Sequence, residues 1–366
     1  MREGWVEKKL GNLCVVLDSQ RKPVAKINRK KGIFPYYGAN GLLDYVDDYI
    51  FEGKYVLLGE DGANWDSNAS SSYIVDGKIW VNNHAHVIKV NNLLNDEYLV
   101  YYLNYKDLNK YISGAIIKKL TQSSLKEINI EYPDLSFQEK IVSELDKISE
   151  MISKYDEQLK ELDKLSQSIF YEMFGDPIEN EKGWEMSTIE MTCIIKSGNS
   201  EANYSKEGTL PYIKVSDMNL PLNSKYINTY SLSVDFEQNK KNIIPIGATI
   251  FPKRGGAIFT NKKRITNKEI CCDLNIMAVI PGIRIQQEYL YMYFMFIDFS
   301  KLPNGSSVPQ INNKDIGPLK IALTPLPLQQ SFARKIEAIE AMKSKVREAK
   351  KEAETLLAAR MQYWFE

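Results

Sequence analysis

The two histidines of the chain, His84 and His86, are the residues whose type and spacing most directly suggest chemistry. Separated by one residue in a β-rich run, they would share one face of a strand and could bind zinc as a pair. A third ligand at the spacing of known zinc sites is missing, and no serine or cysteine nucleophile signature accompanies them. We therefore assign neither a metal nor a catalytic role to these histidines.

Two signatures that would mark an enzyme are also missing. The chain contains neither the Asp/Asn/Ser-Pro-Pro-Tyr/Phe tetrapeptide of amino-methyltransferases nor the Gly-x4-Gly-Lys-Ser/Thr loop that cradles phosphates. We predict that neither methyl transfer nor ATP use is encoded here.

Basic residues cluster in two segments, although the formal net charge is zero. A neutral chain is not typical of a simple nucleic-acid binder, but local basic patches are compatible with phosphate contact. The phosphate-contact candidates are Lys22, Lys26, Arg29, Lys30, Lys31, Lys253, Arg254, Lys262, Lys263 and Arg264. A solvated loop is the alternative for the first five. The others flank Gly255 and Gly256, where the backbone could approach DNA closely, so we favour contact there.

Amide, hydroxyl and amine side chains at predicted loop positions are the candidates for base reading. Amide and guanidinium groups can pair bidentately with adenine or guanine edges in the major groove. The candidates are Asn40, Asn64 and Trp65 in the first half of the chain and Lys214, Ser306, Ser307 and Gln310 in the second. Asn and Gly mark ordinary turns equally well, which is the alternative for this group.

The chain repeats itself on the scale of a whole domain. Matching pairs are Gly4 with Gly183, Cys14 with Cys193, Gly32 with Gly208, Glu97 with Glu288, and Gln138 with Gln329. The first two pairs are 179 residues apart and the last two are 191 residues apart. A period of this length indicates a duplicated domain whose framework is kept while its loops diverge.

A long helix is predicted after the first domain. Ser136 to Glu139 is typical of a capping box, which satisfies backbone amides at a helix start. Apolar residues then follow alternating steps of four and three residues, as in a coiled coil, and only Ser166 interrupts them. Gly175 and Pro177 are typical of a helix end.

A second long helix is predicted after Pro325 and Pro327. Its apolar seam is poorer, because Lys343 and Lys350 occupy the positions where the first helix has Ile152 and Leu159. We expect the two helices to pack antiparallel, each following an equivalent domain. A helix of this length extends roughly 55–60 Å, enough to bridge DNA half-sites separated by about 34–36 Å. A simple dimerisation coiled coil is the alternative.

The predicted fold is α/β (α+β), with two similar globular domains separated by two long antiparallel helices that form a coiled coil. The predicted boundaries are 1–135 for the first domain, 136–174 for the central helix, 175–326 for the second domain and 327–366 for the C-terminal helix. The four cysteines lie in apolar runs, and we predict reduced thiols in strands. Without a signal peptide or an apolar stretch long enough to cross a bilayer, we expect a cytoplasmic protein with no membrane partner.

Over essentially its whole length the sequence resembles the specificity (S) subunits of type I restriction-modification systems. The resemblance lies in YYGANGLLDYVDDYIFEGKYVLLGEDGAN and WVNNHAHVIKV in the first half, PYIKVSDM and GATIFPKRGG in the second, and SIFYEMFGDP at the end of the central helix. It implies two target-recognition domains, each reading one half of a split, asymmetric DNA sequence, with the helices setting the spacer.

The same resemblance implies partners and cofactors. The partners would be double-stranded DNA, two methyltransferase subunits that bring S-adenosylmethionine, and restriction subunits that bring ATP, Mg²⁺ and DNA cleavage. The chain itself would need no cofactor. A coiled-coil scaffold whose two domains bind other ligands, without DNA specificity, remains the alternative at this point.

Overall fold

The structure, a computed structural model, describes residues 2–114, 116, 118–200, 208–302 and 308–366. The chain divides into two compact units. The first comprises Met1–Glu157 and Arg347–Glu366, and the second comprises Gln158–Val346. Each unit therefore contains one globular part and one stretch of each long helix.

Short strands dominate the first half of the chain. The strands are β1 (Val6–Lys9), β2 (Cys14–Val16), β3 (Lys31–Gly38), β4 (Gly41–Val46), β5 (Phe51–Glu52), β6 (Tyr55–Gly59), β7 (Ser72–Val75), β8 (Lys78–Val81), β9 (Ala85–Val90), β10 (Ile112–Ser113), β11 (Lys119–Leu120) and β12 (Asn129–Tyr132). The helices are α1 (Asp96–Tyr105), α2 (Gln122–Lys126) and α3 (Leu135–Phe174).

The second half follows the same plan. Its strands are β13 (Met186–Thr188), β14 (Cys193–Ser197), β15 (Leu210–Ile213), β16 (Leu232–Val234), β17 (Thr249–Pro252), β18 (Arg264–Ile265), β19 (Cys271–Cys272), β20 (Ile276–Pro281) and β21 (Lys320–Ala322). Its helices are α4 (Ile189–Thr192), α5 (Phe236–Asn239), α6 (Gln287–Phe296), α7 (Asn313–Ile316) and α8 (Leu326–Phe365).

Strand β6 lies at the centre of the first unit and is buried on both faces. Successive side chains of a strand point to opposite faces. Val56 and Leu58 therefore pack into a core shared with α1, while Tyr55 and Leu57 pack into a second core shared with β8. Strand β17 holds the equivalent central place in the second unit, with Phe251 in one core and Ile250 in another. Burial of an apolar strand on both faces fixes the position of the strand end, and therefore the position at which the following loop begins.

Sheet topology confirms the duplication. The first unit has a sheet of order β2-β9-β6-β7, and the second has β14-β20-β17-β18. A further sheet in each unit contains a parallel pair, β3 with β8 and β15 with β19. Gly32 and Gly208 both allow a close approach of two backbone segments. A Cβ on Gly32 would lie within 3 Å of the backbone of Val46, and a Cβ on Gly208 would lie within 3 Å of the backbone of Val234.

Buried polar contacts repeat as closely as the strands. The Gln138 side chain accepts from the backbone N–H of Asn95 (2.8 Å) and donates to the carbonyls of Leu93 (3.0 Å) and Pro133 (2.8 Å). The Gln329 side chain accepts from the N–H of Gln286 (2.8 Å) and donates to the carbonyls of Arg284 (3.1 Å) and Thr324 (2.8 Å). The matched glutamines therefore connect the start of a long helix to the start of a domain helix in both units.

The long helices run antiparallel within each unit. In the first unit Glu144 of α3 contacts Arg360 of α8, and the Lys350 ammonium lies 2.6 Å from Asp156. In the second unit Lys343 lies 2.6 Å from Asp163. The lysines that weaken the apolar seam thus donate to acids of α3, so charge pairing replaces apolar packing at these positions.

The central helix begins one residue before its predicted start, and its first turn is capped by a different residue from the one predicted. Helix α3 begins at Leu135, and the Asp134 carboxylate accepts from the N–H of Phe137 (3.0 Å) and the hydroxyl of Ser136 (2.7 Å). Ser136 is therefore a donor inside the first turn and does not cap it. The predicted end is confirmed, because Gly175 has a φ of 79° that favours glycine.

All four cysteines are free thiols, and they lie in β2, β14 and β19 as predicted. Among the described residues, no helix is long and apolar enough to cross a membrane.

Candidate nucleic-acid interface

The basic loop of the first unit, residues 21–31, connects β2 to β3. Lys22, Lys26, Lys30 and Lys31 are exposed on it. In the described part of the chain none of these four ammonium groups has a carboxylate within ion-pair distance. They are therefore available to an anionic ligand.

Arginines of the same loop have internal partners. The Arg29 guanidinium lies 3.3 Å from the Asp44 carboxylate and 4.3 Å from the ring centre of Tyr36, and its side chain is only 15% exposed. Arg21 bonds to Glu60 and to the carbonyl of Ala85. Both arginines hold the loop onto the domain. The Arg29 guanidinium is therefore engaged in internal contacts and is not a free cation at the surface.

The basic segment of the second unit, residues 253–264, also contains both exposed cations and cations with internal partners. Arg254 is exposed, and in the described ranges no group pairs with its guanidinium. Lys262 is partly exposed, with its ammonium 2.5 Å from Asn219. Gly255 adopts a φ of 67°, and a side chain at Gly255 or Gly256 would meet only open space. This short turn presents bare backbone at the surface beside a free arginine.

Three side chains of this segment that were predicted to contact phosphate turn inward in the structure. The Lys263 ammonium donates to Asn261 (2.6 Å) and to the carbonyl of Ile297 (2.8 Å), and burial lowers the pKa of Lys263 to about 8. The Lys253 ammonium donates to the Ser197 hydroxyl (2.7 Å), and burial lowers its pKa. The Arg264 guanidinium donates to the carbonyls of Lys263 and Met218.

A charge network, defined here as Asp18, Arg21, Glu60, His86 and Lys119, supports the end of β6 in the first unit, and all its members except Lys119 are largely buried. The Glu60 carboxylate lies 2.7 Å from the Lys119 ammonium and 2.5 Å from Arg21. His86 is fully buried, with Nδ1 2.6 Å from Asp18. Burial opposes ionisation of Glu60, but the hydrogen bonds from Lys119 and Arg21 outweigh it and hold the pKa of Glu60 below its usual range. Sequence reasoning missed this network, because its members are far apart along the chain and each is an ordinary residue by itself.

Three members of the network are also candidates for binding a metal ion. Asp18, Glu60 and His86 offer ligand atoms within 4.8 Å of one another, and they are the one such group found among the described residues. Arg21 and Lys119 already place positive charge on these carboxylates, so a divalent ion would have to displace both. We therefore assign no metal to these residues.

The comparison with known families distinguishes between the candidate functions. The model of the type I restriction modification DNA specificity domain matches residues 2–164 and, a second time, residues 181–354. The chain belongs to this family. The two matches fall on the two copies of the framework, so the specificity domain occurs twice in one chain.

Relatives of this specificity chain are similar over most of its length. A putative type I restriction enzyme specificity subunit from Haemophilus influenzae is 25% identical over 371 residues, which cover 93% of this chain and 89% of the relative. The MjaIX specificity subunit of Methanocaldococcus jannaschii is 25% identical over 268 residues, covering 64% of this chain and 60% of the relative.

Solved structures share the fold. The S subunit of a type I restriction-modification system from M. genitalium aligns with a TM-score of 0.59 at 13% identity, covering 99% of this chain and 96% of the other. A chain from a study of assembly and conformational transition in a type I system aligns with a TM-score of 0.56 at 18% identity, covering 100% and 98%. The predicted mixed α/β architecture, with two similar domains and paired long helices, is confirmed.

The base-reading candidates in the first unit of the specificity chain lie near the turn between β3 and β4. Asn40 is exposed in this turn, and its amide donates to the carbonyl of Gly62 (2.9 Å). Asn64 is exposed in the loop after β6, where its carbonyl oxygen accepts from the N–H of Asp66. Trp65, the third candidate, has its ring buried in the core, and its indole N–H donates to the carbonyl of Gly59 (3.0 Å).

The candidates in the second unit occupy different places. Lys214 is partly buried directly after β15, where its backbone N–H donates to Asp217 (2.8 Å). Gln310 is partly exposed, and its backbone forms an antiparallel β-bridge with Arg254. Its side-chain amide donates to Asn312 (2.6 Å). Ser306 and Ser307 lie outside the described residues. The structure thus brings Gln310 together with Arg254 and places Lys214 on another loop.

Proposed function

We propose that this chain is the non-catalytic DNA-recognition component of a type I restriction-modification complex, in which each unit reads one half of a split, asymmetric DNA sequence. The observation that carries the proposal is the occurrence of two specificity-domain matches on one repeated framework with different loops. Two copies of one fold with divergent loops suit a target whose halves differ in sequence. The scaffold alternative has no comparable support.

The long helices would set the unspecified spacer between the half-sites. Each is 40 residues long, which corresponds to about 60 Å of helix. Ion pairs and apolar contacts hold the two helices together in each unit, and such pairing favours a stiff spacer.

Methyltransferase and restriction subunits are the proposed partners. Two methyltransferase subunits would bring S-adenosylmethionine, and restriction subunits would bring ATP hydrolysis, Mg²⁺ and DNA cleavage, so this chain would bind no cofactor. A groove on the paired helices of the first unit offers a surface on which such a subunit could dock. It is lined by Ser136, Glu139, Lys140, Glu144, Leu356 and Arg360. Because the target is DNA, we place the protein in the cytoplasm.

The salt dependence of DNA binding tests the phosphate contacts. Replacing Lys22, Lys26, Lys30 and Lys31 together with glutamine is expected to weaken binding to all sequences by a similar factor. The plot of log binding constant against log salt concentration should become shallower by about one unit for each lysine that contacts a phosphate, because fewer counterions are released. The measurement is fluorescence anisotropy with the full chain at several salt concentrations.

A matched control carries four lysine-to-glutamine changes on exposed positions of the long helices, namely Lys154, Lys160, Lys345 and Lys351. This variant has the same net charge as the loop variant, and its salt slope should equal that of the wild type. Binding that does not depend on salt in the wild type would contradict the proposed function itself.

A further inference from the structure

The ends of β6 and β17 have the same backbone environment. The Glu60 N–H donates to the carbonyl of His84 (2.8 Å), and the Glu60 carbonyl accepts from Leu120 (2.8 Å). In the second unit the Lys253 N–H donates to the carbonyl of Asn275 (2.7 Å), and the Lys253 carbonyl accepts from Ile311 (2.9 Å).

The next residues continue the match. Asp61 forms an antiparallel bridge with Lys119, and Arg254 forms the same bridge with Gln310. We call Glu60, Asp61, His84 and Lys119 the first edge, and Lys253, Arg254, Asn275 and Gln310 the second edge. Hydrogen-bond register alone makes the two sets equivalent, position by position.

The residue type differs between the two edges at every one of these positions, although the backbone hydrogen bonds are the same. Glutamate is replaced by lysine, aspartate by arginine, histidine by asparagine and lysine by glutamine. Elsewhere in the framework, equivalent positions keep both residue and contact, as Tyr98 and Tyr289 do by donating to the carbonyls of Glu131 (2.8 Å) and Ala322 (3.0 Å). The fold therefore keeps its buried tyrosines while the residue types at this strand end differ between the two units.

The inward-facing member of each edge has hydrogen-bond partners of its own. Glu60 is neutralised by Arg21 and Lys119. Lys253 donates to Ser197 of β14, the residue that the repeat matches with Asp18 of the first unit. The outward-facing members differ in accessibility, and the Asp61 side chain is 21% exposed, with its carboxylate 2.5 Å from Nδ1 of His84. The side chains of His84 and Lys119 are 50% and 43% exposed, and Arg254 is exposed.

We infer that base discrimination by this chain is concentrated at the two equivalent edges, with Asp61, His84 and Lys119 reading the first half-site and Arg254 and Gln310 reading the second. This inference rests on the proposed function. In the major groove arginine and lysine pair with guanine, glutamine with adenine, and aspartate accepts from the cytosine amino group. The second half-site should therefore contain a guanine at the Arg254 position and an adenine at the Gln310 position. The first should contain a guanine at the Lys119 position.

Selection from a randomised pool of DNA duplexes by the full chain, followed by sequencing, tests the inference. Arg254→Ala should relax one position of the second block, lowering its discrimination about 5- to 100-fold, and leave the first block unchanged. Lys119→Ala should do the converse. Arg284→Ala and Lys126→Ala, which remove exposed cations away from the edges, serve as matched controls and should change neither block.

Each outcome has a distinct meaning. Relaxation confined to one position of the expected block supports the inference. Unchanged blocks in variants that melt like the wild type would overturn it, as would an equal loss of affinity for all sequences, which marks phosphate contact. A wild-type chain that enriches no sequence would instead refute the proposed function, so the two failures are distinguishable.

Discussion

Replacing Gln329 with leucine is expected to destabilise the second unit by about 2–4 kcal/mol. The change removes three hydrogen bonds at a fully buried site and leaves the N–H of Gln286, at the start of α6, without its acceptor. A buried polar group that loses its partner costs about 1–3 kcal/mol, and here a donor and two carbonyls are affected together. The leucine is similar in size, so loss of packing contributes little.

Hydrogen–deuterium exchange followed by mass spectrometry measures this effect separately in each unit. Peptides from α6 and from the first turns of α8 should exchange at least about 30-fold faster at sites that exchange through unfolding of the unit. Gln330→Leu, at the next and exposed position, is the control and should leave exchange unchanged. Gln138→Leu should produce the same loss of protection around α1 and α3 in the first unit. Equal protection in Gln329→Leu and the wild type would show that the repeated glutamine bonds do not stabilise the units.

Shortening both long helices by one matched heptad is expected to shorten the preferred spacer by about three base pairs. Asp156 pairs with Lys350 and Asp163 with Lys343, so residues 156–162 and 344–350 lie opposite each other by the register of these pairs. Removing both segments keeps the heptad phase and takes away about 10 Å of helix, which equals three steps of duplex DNA. The sequences of the two half-sites should not change, because neither edge is altered.

Binding to a panel of duplexes, with both half-sites fixed and the spacer varied one base pair at a time, measures this change. A variant lacking only residues 156–162 is the control, because it breaks the register between the helices and should bind no spacer as well as the wild type binds its own. An unaltered spacer preference in the double deletion would refute the idea that the helices set the distance.

The framework could be predicted from the sequence because duplication and periodicity are properties of the chain itself. The repeat matched Gln138 with Gln329, and the structure gives these two side chains equivalent buried hydrogen bonds that the match alone did not predict. The alternating apolar steps of the central helix predicted a partner helix, because such a stripe must be buried. The antiparallel orientation was predicted from the repeat, because each long helix follows an equivalent domain. The ion pairs of Lys343 and Lys350 were not predicted, because a lysine in an apolar seam does not reveal whether an acid faces it.

The contact residues were harder to predict, because residue type does not determine which way a side chain turns. Lys262 and Lys263 are neighbours of equal charge, yet Lys263 is almost fully buried above the ring of Phe299 and Lys262 is partly exposed. Trp65 was predicted to read a base, but its ring lies in the core, and its residue type did not indicate which way it turns. The first edge depends on strand pairing between residues far apart in sequence, such as Asp61 and Lys119, and only three-dimensional structure brings these together.

Long-read sequencing of methylated bases tests the central claim most directly, in cells that carry this chain together with methyltransferase subunits of its own system. The account predicts that the modified sites share two short, different sequence blocks separated by unspecified bases of constant number. A single contiguous motif, or two blocks at variable distance, would contradict two reading units with a spacer set by helices of fixed length.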